Sequence, residues 1–258
     1  MMFRELSTDR FASVLPLFSS KHELPAAAVL RGQFPGTVFA DPVEAPTLAV
    51  VSVSGRWLYI AGVVSSDTAS AFARFLQDVC IPINRRQGWF EIYCSDDPAW
   101  DALFTTQAIL AVQKHYEATY TLNFRKFQAL SESVSHAAQG VDITMSHQAL
   151  HPAANMAAFP KRTSLAAEIW RQGKLIAVCR DNGLRVGHEH FIDVDTFDPA
   201  DRQKGLATLA AVSLIRQSLA SGDIPLWETA EQNLASRRLA AKLGFEPLER
   251  YPVYAFTF

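Results

Sequence analysis

The sequence predicts an α/β protein built in two parts. Apolar runs with strand patterning alternate along the whole chain with stretches of helical spacing. The chain also changes character near its middle, where residues 131–163 are rich in Ser, His, Ala and Gln and contain Gly140, Pro152 and Pro160. A length of 258 residues allows one large domain or two small ones, at roughly 150 residues each. The expected division is an N-terminal α/β domain over residues 1–130 and a second domain over 140–258.

Residues 37–43 read as a strand ending at Pro42, and 47–64 as a hairpin whose two apolar runs flank the turn signal Ser54-Gly55. Ser66 or Asp67 then caps a helix in which Phe72, Phe75, Leu76 and Val79 recur at helical spacing, with Pro82 as its end. Residues 89–94 (WFEIYC) read as a buried strand. Asp97-Pro98 starts a helix, with the proline at the first helical position, where its missing N–H costs nothing. Residues 118–127 alternate like a strand.

In the second half, 164–171 and 174–180 flank Gln172-Gly173 as a hairpin, and 190–197 alternate as a further strand. A helix starts near Lys204-Gly205 and runs to about Ala220, with Leu206, Leu209, Ala210, Ile215 and Leu219 on its apolar side. Residues 224–229 form a short strand. Asn233 caps the next helix, and Gly244 follows it in the place of a left-handed helix end. Residues 251–258 read as a closing strand.

Composition narrows the partners. Charged residues are 19% and hydrophobic residues 49%, ordinary globular values. A formal charge of −2 gives no global basic field for nucleic acid. Cys80, Cys94 and Cys179 form no Cys-x-x-Cys pair, and so sparse a set reads as free thiols in a reducing compartment. Met1 to Arg10 carry charges without an apolar segment, and no apolar run approaches the ~18 residues a membrane helix needs. The expectation is a cytoplasmic protein with neither nucleic acid nor membrane as partner. His136, His147 and His151 are too irregularly spaced for a metal site, so no metal is expected.

The segment that carries chemistry is 190–208, HFIDVDTFDPADRQKGLAT. A strand leads through a proline-containing turn to a helix start. Such a start offers free backbone N–H groups and the positive end of the helix dipole, which together attract an anion. Gly205 and Ala207 leave room for a diphosphate against the backbone, and Arg202 and Lys204 add charge. Neither Gly-x-x-x-x-Gly-Lys-Ser/Thr nor Gly-x-Gly-x-x-Gly is present.

Arg202-x-x-Gly205-x-Ala207 resembles motif A of the GNAT acyltransferases. The run Asn233-Leu-Ala-Ser236-Arg-Arg-Leu239-Ala-Ala-Lys242-Leu-Gly244-Phe245 resembles their motif B, and the order of elements around the two is that of the GNAT fold. Asp195-Thr196-Phe197, Pro225-Leu-Trp227-Glu228 and, more loosely, Gly32-x-x-x-Gly36-x-Val38-x-x-Asp41 are similar to the zwittermicin-A-resistance acetyltransferase subfamily. Two departures stand out. The loop before Arg202 is one residue longer than in that subfamily and lacks its Tyr. Ala240 stands where many GNAT enzymes keep a Tyr general acid.

The resemblance implies a C-terminal GNAT fold, a mixed and splayed sheet with flanking helices, beside the N-terminal α/β domain. The order of elements in the first half leaves open a decayed copy of the same fold. The resemblance further implies acetyl-CoA as acyl donor and a small-molecule amine as acceptor. The donor diphosphate would lie on the amides of Gln203, Lys204, Gly205, Leu206, Ala207 and Thr208, beside Arg202. The pantetheine would run along Asp195, Thr196 and Phe197, with Asn233 and Ser236 completing the donor site. The amine attacks the thioester directly, so the protein must place two substrates, polarise a carbonyl and move protons.

The candidates for proton transfer are Glu228, on the splayed strand, His190, at the start of the motif A strand, and Tyr251, in the last strand. Each has an ordinary alternative: a solvated carboxylate, a hydrogen-bonded histidine, a packed aromatic. Arg237, Arg238 and Lys242 either meet the donor's 3′-phosphate or keep their helix soluble. Cys179 has no identifiable His partner and direct attack needs no nucleophile. Two other readings remain open, an acyl-carrier-protein donor and a GNAT-fold protein that binds a ligand without turnover. Residues 140–165 and the N-terminal domain are the expected acceptor pocket; the acceptor's identity and the oligomeric state are not written in the sequence.

Overall fold

The computed structural model describes residues 3–64, 66–86, 88–105, 111–134, 140–149 and 163–257. The chain forms two compact units, one of Met1–Glu117 with Arg250–Phe258, the other of Ala118–Glu249. It therefore passes between them twice, near 117 and near 250, where the sequence reading has a single passage between 130 and 140. The His136 and His151 positions, and much of 140–165, lie outside the described residues.

The first unit begins with β1 (Arg4–Glu5), a run of 3-10 turns and α1 (Leu24–Leu30), then β2 (Gly36–Asp41), β3 (Leu48–Val53) and β4 (Trp57–Gly62). These strands pair antiparallel in sequence order. Next come α2 (Ser66–Phe75), a π turn (Leu76–Cys80), α3 (Ile81–Asn84), β5 (Trp89–Tyr93) and α4 (Pro98–Thr105). β5 pairs parallel to β4. The predicted stop at Pro82 is not a stop: the π turn precedes it, so the proline sits in the first turn of α3, where it owes no N–H.

Strand alternation builds this unit's core. Leu48 and Val50, Leu58 and Ile60, Phe90 and Ile92, and Tyr254 and Phe256 present every second side chain to Phe72, Phe75, Trp100 and Phe104 of the helices.

The second unit starts inside β6 (Ala111–Leu122), followed by α5 (Phe124–Val134). The predicted strand over 118–127 thus begins earlier and stops at 122. Asn123 ends it, because its side-chain oxygen accepts the Lys126 N–H at 3.2 Å and caps α5. β7 (Asp142–Ala149) occupies part of the stretch predicted to be a connection. β8 (Thr163–Arg171) and β9 (Lys174–Val186) form the predicted hairpin, with Gln172 and Gly173 both at positive φ, 50° and 76°. β10 (Glu189–Thr196), α6 (Leu206–Ala220), β11 (Ile224–Ala230), α7 (Leu234–Leu243) and β12 (Phe245–Thr257) follow in the expected order, but β12 starts six residues before the predicted closing strand. α6 is the central helix: Leu206, Leu209, Leu214 and Ile215 pack against Ile169, Ile176, Ile192, Trp227 and Phe245.

One irregularity positions the site. β10 and β11 run parallel, but their ladder joins only Glu189, His190 and Phe191 to Ile224, Pro225 and Leu226. Beyond that point β10 stays on β9 as far as Thr196, with a bulge between His190 and Ile192, and β11 departs. This is the splay that the resemblance implies.

Candidate active site

The strand that leaves β11 ends in a loop, 197–205, and the loop ends in α6. Asp198 accepts the Ala200 N–H at 2.9 Å, which folds the longer loop into a 3-10 turn at Pro199–Asp201. Two left-handed residues then reverse the chain, Gln203 at φ 62° and Gly205 at φ 80°. Gly205 is the N-cap of α6, and no side chain caps this helix. Its carbonyl accepts the first intrahelical bond, from Leu209 at 3.0 Å, so the amides of Leu206, Ala207 and Thr208 precede that bond. At α7 the Asn233 side chain accepts from Ser236 N–H at 3.1 Å. The two helix starts therefore differ: α7 is closed by its own cap, and α6 is left for an external acceptor.

These amides open on a cavity of about 980 Å³, at the upper end of the ~300–1,000 Å³ of ligand clefts. It is lined on one side by Val194, Asp195 and Thr196, and on the other by α7 and Trp227. The Phe197 N–H bonds Ile176 of β9 at 3.2 Å. By strand alternation the backbone groups of Val194 and Thr196 then face away from β9, toward the gap that β11 leaves.

The structure brings Thr196, Arg202, Gln203, Gly205, Leu206, Ala207, Thr208, Asn233 and Ser236 together around this cavity. Phe197 and Lys204 do not line it. Phe197 is half exposed, and Lys204 donates to Asp201 at 3.3 Å. Ser236 accepts the Trp227 indole N–H at 2.9 Å, tying α7 to β11. Arg238 and Lys242 also line the cavity, whereas Arg237 bonds back to the Glu231 carbonyl. The acids of the lining carry cations: Asp195 meets Arg180 at 3.2 Å, and Asp201 meets Arg171 at 2.6 Å. Sequence reasoning missed Asp201 and its distant partner Arg171. The Asp201 carboxyl is held below its ordinary range, first by the Arg171 hydrogen bond.

The candidates for proton transfer lie in three different settings. Glu228 is half buried on β11, on the strand face opposite Trp227, and is not among the cavity's lining residues. His190 is 1% exposed, with its Nε2 3.5 Å from Ser218 on α6, away from the cavity. Burial, then Arg185, pushes its pKa down. Tyr251 belongs to the first unit. It is buried, stacked on His22 at 4.1 Å between ring centroids, and its hydroxyl donates to Glu117 at 3.4 Å. Ala240 is fully buried in the second unit's core, so the side chain at that position faces helix packing. Cys179 is fully buried, and burial raises its thiol pKa well above the usual value, which leaves it unreactive. Among the described residues, no cluster of His, Cys, Asp and Glu could hold a metal, and no helix is long and apolar enough to cross a membrane.

Fold and cleft define an α/β protein whose uncapped helix start faces a gap between parted parallel strands. Known proteins share this architecture. The sequence profile of the GNAT acetyltransferases matches residues 15–254. A curated relative, the uncharacterized N-acetyltransferase YdfB of Bacillus subtilis, is 23% identical, with 98% of each chain covered. The crystal structure of a GCN5-related N-acetyltransferase-like protein from Streptococcus suis superposes with a TM-score of 0.70 at 21% identity, covering 96% of this chain and 98% of the other. A tandem GNAT protein from the clavulanic acid biosynthesis pathway gives 0.64 at 13% identity, covering 98% and 97%. The chain belongs to the GNAT acetyltransferase family and is an acetyltransferase.

Proposed function

We propose that the protein moves an acetyl or other short acyl group from acyl-CoA to a small-molecule amine. The observation that carries this is the uncapped start of α6, with Gly205 and Ala207, opening into a cavity that continues along β10. The amides of Leu206, Ala207 and Thr208, with Arg202, hold the donor diphosphate; Val194 and Thr196 pair with the pantetheine as a further strand. Arg238 and Lys242 on the cavity wall favour CoA, with its extra phosphate, over the shorter pantetheine arm of an acyl-carrier protein. The amine nitrogen bonds to the thioester carbonyl carbon, the C–S bond breaks, the nitrogen gives up a proton to a base, and the departing thiolate takes one up from solvent.

Alternation on β11 puts Glu228 on the face opposite the donor cavity. In this reading the acceptor enters from that face, meets the thioester in the gap and loses its proton to Glu228. The likeness of Asp195–Phe197 and Pro225–Glu228 to the zwittermicin-A-resistance subfamily supports an amino-containing metabolite or antibiotic as acceptor. Calorimetric titration with acetyl-CoA tests the donor reading: one donor bound per chain supports it, and no uptake at millimolar donor removes it. Ala207→Glu puts a carboxylate into the diphosphate position, so donor binding is expected to vanish while folding is retained. Unchanged affinity would sink the assignment. Glu228→Gln is expected to lower kcat by about a hundredfold or more with donor affinity unchanged, a typical effect of losing a general base. Screening amines for thiol release supplies the assay.

A further inference from the structure

Asp201 carries two cations from different parts of the chain. Arg171, the last residue of β8, donates to its Oδ1 at 2.6 Å, and Lys204, within the donor loop, donates to the same oxygen at 3.3 Å. The same hairpin reaches the loop a second time through Lys174, 3.8 Å from Asp198. Asp201 is 8% exposed and lines the donor cavity, whereas Arg171 and Lys204 line an adjoining cavity of about 290 Å³ that shares Gly205, Leu206, Thr208 and Lys242 with it. Neither cation lines the donor cavity itself, and both donate to Asp201.

The loop between them has reason to need holding. Gln203 sits at φ 62°, a left-handed conformation that is strained for a non-glycine residue. Gly205 follows at φ 80°, and these two reversals aim the amides of Leu206, Ala207 and Thr208 into the cavity. A strained backbone persists only where its surroundings over-determine it. The ties from Asp201 to Arg171 and Lys204 supply that constraint.

We propose that Asp201 is a positioning residue for the acyl donor: with Arg171 and Lys204 it locks the loop in the shape that presents the α6 amides to a diphosphate. The inference rests on reading the large cavity as the acyl-CoA site. Simple electrostatics demands the opposite sign. A carboxylate on the wall of a diphosphate site repels the ligand, so if Asp201 were only a charge, neutralising it would tighten binding.

The experiment titrates CoA and acetyl-CoA calorimetrically into wild type, Asp201→Asn, Asp201→Glu, Arg171→Gln and the Arg171→Gln/Asp201→Asn double variant. Melting temperature serves as the folding control. Asp201→Asn and Arg171→Gln are each expected to bind both ligands about tenfold more weakly, a size common for coupled groups. The double variant should be no worse than either single one, because both break the same tie. Asp201→Glu should recover most of the loss. In the amine assay the change should fall on the donor KM, with kcat at saturating donor within about twofold. If Asp201→Asn binds CoA as tightly as wild type or more tightly, the inference fails while the donor reading stands; so it does if the two losses multiply in the double variant. A wild type that takes up no CoA removes both. Should Asp201→Asn fail to fold, Arg171→Lys, which keeps the charge but loses the guanidinium contact to Asp201, carries the test: weaker CoA binding supports the inference and unchanged binding overturns it.

Discussion

Two glycines end up left-handed for different reasons, and the difference is measurable. Gly205 at φ 80° has nothing within 4 Å of the position a Cβ would take, so only backbone strain opposes a side chain there. Gly244, at φ 90°, ends α7 where the chain crosses the start of α5. A Cβ on it would come within 2.8 Å of the Phe127 N and 3.2 Å of the Asn123 carbonyl oxygen. The neighbouring backbone cannot yield cheaply, because the Asn123 N–H already donates to the Gly244 carbonyl at 2.9 Å. Gly205→Ala should therefore cost only about 1–2 kcal/mol of stability. Gly244→Ala adds a backbone clash to the same strain and should cost distinctly more. Equal loss in chemical denaturation of the two variants would contradict this.

At the scale of elements, β10 shows what a strand pattern can and cannot say. The alternation of 190–197 was enough to predict the strand, the loop after it and the helix start that follows. It could not say which face His190 takes, because the bulge between His190 and Ile192 shifts the register midway. His190 is consequently buried beside Ser218 of α6. Arg185 and Asp181 of β9, Asp223 before β11 and His188 ahead of its own strand are the charged and titratable groups around it. β7 escapes the sequence for another reason: most of the described side chains over 142–147 are exposed, so its sequence carries Ser, Thr and His where a buried strand needs apolar residues. Asp201 and Arg171 stand 30 residues apart, and no local pattern announces a tie that only the folded hairpin makes.

The buried His190 gives a pH prediction. Its pKa in the fold lies below the ordinary 6.5, burial being the first cause. As pH falls through 6.5 the unfolded chain takes up the proton before the folded one does. Its contribution to stability is thus full above 6.5 and is lost as pH falls toward the folded value. Wild type should lose more melting temperature between pH 7 and pH 5 than His190→Gln does. Parallel losses would show that the histidine is not the group responsible.

At the scale of the molecule, the two units repeat one strand order. In the first, β1 to β4 form an antiparallel meander, β5 adds parallel to β4, and β12 closes the sheet antiparallel to β5. In the second, β7 to β10 form the meander, β11 adds parallel to β10, and β6 lies beside β11. The chain has thus exchanged its closing strands: each unit is finished by a strand from the other half of the sequence. The copies are not equivalent in chemistry. The sequence between strand and helix is Arg202-x-x-Gly205-x-Ala207 in the second unit, and the first has no such pattern after β4. The exchange also has a mechanical consequence. Tyr254 and Phe256 of β12 are fully buried in the first unit's core, and Phe256 stacks on its register partner Phe90 at 4.8 Å between centroids. Losing one such aromatic costs about 3–5 kcal/mol, against a total stability of about 5–15 kcal/mol. A chain ended after Glu249 should therefore lose the unit formed by its first 117 residues, although all of those residues are still present. Hydrogen exchange is the direct readout: β4 and β5 should lose their protection, while α6 and α7 of the second unit keep theirs. If protection in β5 survives the truncation, the first unit closes without its borrowed strand, and the exchange is an ornament of the topology rather than a condition of folding.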